Sequence, residues 1–187
     1  MLNNDGPPDP VSLYRAATDR AIAVADAVRP DQLGSPTPCT EWTVQQLIDH
    51  LVGGTEYLLS ATTGGEPAQR LHTTAADLRV GVADVLKALT IPGALERTCT
   101  SPLGFEWPVS QAVAGTFMDV LIHTWDLTRA TGQDDKLDPD LVDACTAMFL
   151  PEMPERGRDA GIIGPAVEVD DDASPQDRLL AAMGRHP

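Results

Sequence analysis

The sequence predicts an all-α protein: a four-helix bundle with long crossovers and a short additional C-terminal helix, organised as a single domain over residues 1–187. Three observations predict it. Apolar residues recur at three- and four-residue steps through the long segments. Capping residues open those segments, and Gly or Pro closes them. No alternating pattern is strong enough to build a sheet.

Met1 to Pro8 is rich in Pro, Asn and Gly and is expected to be flexible. Asp9 reads as an N-cap with Pro10 at the first helical position. The helix it opens carries Tyr14, Ala17, Ala21, Val24 and Val28 on one face and stops before Pro30. Asp31 to Thr40 is a loop containing Pro36 and Pro38. In the second helix, Thr43 and Gln46 form a capping box, and Trp42 and Leu47 occupy the hydrophobic-staple positions. Val44, Leu47, Ile48, Leu51, Leu58 and Leu59 supply its apolar stripe, and Gly64-Gly65 ends it.

A third helix runs roughly from Thr74 to Leu89, with Leu78, Val82, Val85 and Leu89 on one side. Ile91 to Pro108 is an irregular connection with room for one short hairpin around Gly104. Ser110 is the expected N-cap of the fourth helix, and Gly132 falls at its C′ position. A shorter fifth helix spans Asp138-Pro139 through Phe149. Pro151 to Asp172 reads as mostly loop, ending in the solvated acidic run Asp170-Asp171-Asp172. The last short helix fits between Ser174-Pro175 and Gly184.

Composition narrows the function. Hydrophobic residues at 42% and charged residues at 22% are ordinary for a globular protein. A net charge of −15 repels phosphate backbones and argues against nucleic-acid and anionic-membrane partners. No apolar run approaches ~18 residues, so no transmembrane helix is expected. Met1 to Pro10 lacks the basic and apolar regions of a signal peptide. Cys39, Cys99 and Cys145 are odd in number and form no CxxC pair, which disfavours a disulfide framework and a cysteine zinc site. A cytoplasmic location follows as the expectation.

The fourth helix holds the chemistry. From Ser110 to Thr128 it has no Lys or Glu, and its only acids are Asp119 and Asp126. Between its apolar faces runs a narrow stripe of small residues around Asp119, His123 and Asp126. Gly115, one turn before Asp119, is expected to clear space there at a helix cost of ~1 kcal/mol. An aspartate and a histidine four apart can share a divalent metal ion. The same spacing also fits an i,i+4 surface pair worth about 0.3 kcal/mol.

A metal needs a further ligand, and only four histidines exist. His72 and His186 read as solvated. His50 lies mid-helix, followed one turn later by Gly54 in the pair Gly53-Gly54. Two helical glycines cost on the order of 2 kcal/mol relative to alanine, so tertiary structure must exploit the gap. His50 is therefore the candidate partner, with a hydrogen-bonded core histidine as the alternative.

The segment from Pro36 to Val44, continued by Leu47-Ile48-Asp49-His50-Leu51-Val52-Gly53-Gly54, resembles the N-terminal metal-binding domain of mycothiol-dependent maleylpyruvate isomerases and, more broadly, the DinB-like four-helix bundles. The resemblance resumes at His123 to Gly132. In the tail, Gly164-Pro165-Ala166-Val167, Asp177-Arg178-Leu179-Leu180 and Gly184-Arg185 look like a group of uncharacterised actinobacterial members. Carried over, it implies a metal triad of His50, Asp119 and His123. The isomerases have glutamate where this chain has Asp119, and they carry a second, C-terminal domain.

Two neutral imidazoles and one carboxylate leave a divalent ion with open positions, a catalytic rather than a structural arrangement. Zinc suits the set, with nickel or iron as alternatives. The resemblance implies mycothiol as the nucleophilic thiol, a small-molecule electrophile as substrate, and a metal-dependent thiol transferase or isomerase. The other classes are a non-catalytic metal or small-ligand binding module of the same fold and a two-His-one-carboxylate iron oxygenase.

Asp126 is expected either to orient His123 or a bound water, or to pair with Arg129 on the helix surface. Cys39 is expected to be a buried structural thiol, Trp42 a staple, and Trp107 and Trp125 core residues. An apolar helix face would allow a homodimer.

Overall fold

The computed structural model describes residues 9–40, 42–150 and 152–187; the expectation for Met1 to Pro8 lies outside them. Four long helices form: α1 (Pro10–Asp26), α2 (Val44–Thr63), α3 (Ala75–Ala88) and α4 (Val109–Thr131). α1 packs on α4 and α3, and α2 packs on α3 and α4, which closes a ring in the order α1–α3–α2–α4. Consecutive helices α1 and α2 are thus diagonal, as are α3 and α4. That is why both connections are long. The bundle with crossovers expected from the sequence is the architecture observed.

The starts form as local chemistry dictates. Asp9 accepts from the amides of Val11 and Ser12. The Thr43 hydroxyl accepts from the Gln46 amide while the Gln46 side chain accepts from the Thr43 amide, and Thr74 and Asp77 repeat the device at α3. Each cap contributes about 1 kcal/mol. Gly64 and Gly132, with φ of 85° and 70°, end α2 and α4 in the left-handed conformation that favours glycine.

α4 lies at the centre, buried almost all round: Val113, Phe117 and Leu127 have no exposed surface and Trp125 has 1%. Burying one such side chain contributes about 1.5–3 kcal/mol. Tyr14 of α1, Leu47 and Leu58 of α2 and Leu78 and Val85 of α3 meet it in one apolar cluster. α2 and α3 approach closely at Gly81, where an added Cβ would overlap the Thr55 hydroxyl.

Three expectations need correction. The fourth helix begins at Val109, and Ser110 is not its cap. The hairpin of β1 (Thr98–Thr100) and β2 (Glu106–Pro108) leads into this helix. Carbonyls just before β1 satisfy the first amides: Val109 donates to Arg97 and Ser110 to Leu95. A side-chain cap is therefore unnecessary. The loop between the first two helices contains a 3-10 turn, Pro30–Gln32.

The stretch from 151 to 172 is not all loop. It contains α6 (Met153–Asp159), which follows α5 (Pro139–Phe149) and precedes α7 (Pro175–Ala182). Among the described residues, no helix is long and apolar enough to cross a membrane.

Candidate metal centre

His50 projects from α2 and Asp119 and His123 from α4, at the place where these helices face one another. The Nε2 of His50 lies 2.9 Å from Oδ2 and 3.2 Å from Oδ1 of Asp119. The Nε2 of His123 lies 3.4 Å from Asp119 Oδ1. One ligand atom from each of the three residues falls within 4.8 Å of the others. Donors at ~2.1 Å around a tetrahedral ion sit ~3.4 Å apart, so the residues present fit a small divalent cation. The three residues implied by the resemblance therefore converge, and the lone surface pair and the isolated core histidine do not describe them.

The imidazoles are held from behind and above. His123 places Nδ1 2.9 Å from Oδ2 of Asp126, whose side chain has no exposed surface. An ionised carboxylate only accepts, so Nδ1 keeps its proton against Asp126, and Nε2, which faces Asp119, is the nitrogen that gives up its proton when a cation binds. Of the two expectations for Asp126, the contact with His123 is the one observed. Arg129 turns away to Asp135, at 2.9 Å, and its guanidinium lies 5.4 Å from the centre of the Trp125 ring.

Trp42, expected as a staple and packed against the core, has a further contact. Its ring centre lies 4.4 Å from that of His50 and 5.4 Å from that of His123. The indole forms a wall over both imidazoles, a role that the helix-start pattern did not reveal.

Charge balance follows from this packing. Burial would raise the Asp119 carboxyl, but the two imidazoles beside it hold it well below the usual carboxylate range. Burial would lower His123; Asp119 and Asp126 outweigh that and raise it to about 9. Asp126 is likewise lowered against the cost of its burial, by hydrogen bonds from His123 and Arg185. Without a metal, the site is a proton-bridged carboxylate–imidazole network.

The three side chains line a cavity of about 1220 Å³. Gly53 and Gly54 form part of its wall, and a Cβ at Gly53 would meet nothing within 4 Å. Gly115 is used differently from expectation: a Cβ there would come within 3.1 Å of the Trp107 ring, so the freed space holds indole. Trp107 is accordingly a half-buried wall residue rather than core, and its Nε1 donates to the Tyr57 hydroxyl at 2.9 Å. Tyr57 in turn donates to the Thr100 carbonyl at 3.2 Å.

Cys39 is half-buried and lines the cavity, against the expectation of a buried thiol. Cys99 lines it too, whereas Cys145 is fully buried and its thiol is pushed up to about 12 by burial. Trp125 is core, and His72 and His186 are exposed, as expected.

Trp42, Tyr57 and Arg185 are the site residues that sequence reasoning missed. Arg185 had one signal, the Gly184-Arg185 pair in the tail. Tyr57 had none, since a tyrosine on an amphipathic helix is ordinary.

Comparison with known proteins agrees with this architecture. The family model described as "Mycothiol maleylpyruvate isomerase N-terminal domain" matches residues 14–128. Two uncharacterised proteins, from two strains of Mycobacterium tuberculosis, are each 36% identical over 182 residues, covering 95% of this chain and 98% of their own. Crystal structures of the mycothiol-dependent maleylpyruvate isomerase and of a histidine-to-alanine variant superpose with TM-scores of 0.63 and 0.64. At 18% identity, covering 87% of this chain and 75% of theirs, they show the shared fold.

Proposed function

Because the chain belongs to the mycothiol maleylpyruvate isomerase N-terminal domain family, we propose that it is a divalent-metal-binding protein that uses a small thiol, mycothiol, in a transferase or isomerase reaction. His50, Asp119 and His123 are the ligands, and zinc is the metal that suits two imidazoles and a carboxylate. The observation that carries this reading is the convergence of the three donor atoms, within 4.8 Å, in the wall of a cavity of about 1220 Å³. That volume accommodates a thiol cofactor together with a second small molecule.

When bound, a divalent cation supplies a thiolate near neutral pH, by stabilising the deprotonated form of a coordinated thiol whose free pKa is ~8.5. The protein's own groups do the rest. Asp126 holds the Nδ1 proton of His123 and so fixes its ring with Nε2 facing the ligand position. Trp42 packs on both imidazoles, which restricts their rotation and keeps water from one side. Trp107 and Met118 add apolar surface to the same cavity, against which the hydrocarbon parts of a ligand can pack. The Tyr57 hydroxyl offers a further oriented polar group on the same wall. A thiol-dependent reaction of this kind fits the reducing cytoplasm.

The test is a conjugation assay on the zinc-loaded protein, with mycothiol and a panel of electrophiles such as unsaturated carbonyl compounds and epoxides. Turnover that requires both thiol and metal, and that disappears in His50→Ala, supports an enzyme. Tight zinc binding without any thiol-dependent turnover assigns a binding module instead.

A further inference from the structure

The C-terminal turn reaches the candidate centre through one residue. Arg185 donates to Asp126 twice, from Nε to Oδ1 at 3.1 Å and from Nη2 to Oδ2 at 2.7 Å, while Nη1 donates to the Met183 carbonyl at 2.9 Å. Oδ2 is the same oxygen that receives Nδ1 of His123. Asp126 therefore has one rotamer that satisfies both partners, and the planar guanidinium imposes it.

The turn that carries Arg185 is itself closed. Gly184 is left-handed, with φ of 77°, and the amide of Arg185 returns to the Leu180 carbonyl at 2.9 Å. The backbone of Gly164 lies so close that a Cβ at Gly184 would come within 3.0 Å of it. The Ala182 carbonyl accepts from Arg158 of α6 at 3.1 Å, and the Ala181 carbonyl accepts from the Val167 amide at 3.0 Å. α6, the 164–167 segment and α7 thus brace one guanidinium against the back of a metal-facing histidine.

We propose that Arg185 is a positioning residue for the metal centre: through Asp126 it sets the ring of His123, so that docking of the C-terminal turn and metal binding are energetically coupled. The inference rests on the metal reading above. Coupling is reciprocal: a correctly docked tail tightens metal binding, and bound metal holds the tail in place. Removing a partner that orients a ligating histidine costs about 10-fold to 100-fold in metal affinity, and Arg185 is expected to act at the lower end because it works through Asp126. The backbone bonds of the turn do not depend on its side chain, so Arg185→Ala keeps the fold.

The experiment is cobalt(II) titration of the full chain, read by the visible absorption of the bound ion. Wild type is expected to bind, Arg185→Ala to bind about 10-fold more weakly, and millimolar guanidinium to restore most of the loss by refilling the vacated site. Equal affinity in Arg185→Ala overturns the proposal and leaves the metal reading standing. A loss that guanidinium does not restore assigns Arg185 to packing and also overturns it. No cobalt binding by wild type removes the metal reading and this inference with it.

A second measurement needs no variant. Amide hydrogen exchange at residues 180–186 of wild type is expected to slow on zinc addition more than exchange in α5, which touches α7 but holds no candidate ligand. Equal slowing in both contradicts the coupling.

Discussion

His50 on α2 and Asp119 on α4 stand 2.9 Å apart across the bundle, one imidazole nitrogen against one carboxylate oxygen. Asp119 also faces His123 at 3.4 Å and is the one anion between two imidazoles. Each side chain is about a third exposed, at 33% for His50 and 34% for Asp119. As a surface ion pair the contact would contribute little to stability. Its position in the wall of a large cavity is what gives it meaning.

Asp119 is accordingly expected to matter for metal more than for folding. Asp119→Asn keeps the shape but loses the charge, and zinc affinity is expected to fall at least 10-fold. Asp119→Glu restores the charge with a longer arm and is expected to retain binding within about 10-fold. Calorimetric zinc titration of the two variants separates charge from length. Equal binding by Asn and wild type would remove Asp119 from the ligand set.

Metal uptake should expel protons. His123 is raised to about 9 in the metal-free protein, so at pH 7 a cation must displace its proton. Zinc affinity is therefore expected to climb as pH rises from 6 toward about 9 and then to level off. Titration calorimetry in two buffers of different ionisation enthalpy gives the number of protons released. Zero release at pH 7 would contradict the raised value.

Metal-free stability carries the opposite sign at its alkaline end. A histidine raised from ~6.5 in the unfolded chain stabilises the fold fully below that value. The contribution is lost as pH climbs through about 9. Asp119 and Asp126 are lowered, so their contribution is present above ~4 and is lost as pH falls further. The melting temperature of the chelator-treated protein is expected to be highest between about pH 5 and 7 and to fall on both sides. A melting temperature that keeps rising from pH 7 to 10 would exclude this network.

Gly53 offers a test of what the cavity is for. A Cβ there meets nothing within 4 Å, and glycine inside a helix costs ~1 kcal/mol relative to alanine. Gly53→Ala is expected to raise stability by about 1 kcal/mol in denaturant unfolding, since the helix gains and no neighbour is displaced. The added methyl projects into the cavity wall, so zinc affinity is expected to stay unchanged while thiol-dependent turnover drops. Increased turnover would show that the glycine does not serve the cavity.

Local chemistry made most of the bundle legible. Asp9, Thr43, Thr74, Asp138 and Ser174 each cap the helix that follows through side-chain bonds within three residues, and such bonds can be read from neighbours alone. Ser110 failed because the amides at that helix start are satisfied by Arg97 and Leu95, twelve and fifteen positions upstream of their donors. The trio of His50, Asp119 and His123 was legible in part. The spacing of Asp119 and His123 is a helix property, and only four histidines competed to complete it; the resemblance supplied the set.

Trp42 over His50 and Arg185 on Asp126 were not legible. The first depends on how the chain enters α2, and the second joins positions 59 residues apart. Neither tertiary contact leaves a periodic or compositional trace.

The most direct test is the zinc content of the protein after chelation, dialysis and titration, measured for wild type beside His50→Ala and His123→Ala. Wild type is expected to bind one equivalent tightly, and its melting temperature should rise with free zinc as binding to the folded state alone requires. Both alanine variants should lose that equivalent while keeping their helical content. A wild-type protein that takes up no zinc, nickel or iron, or variants that bind as well as wild type, would contradict the account.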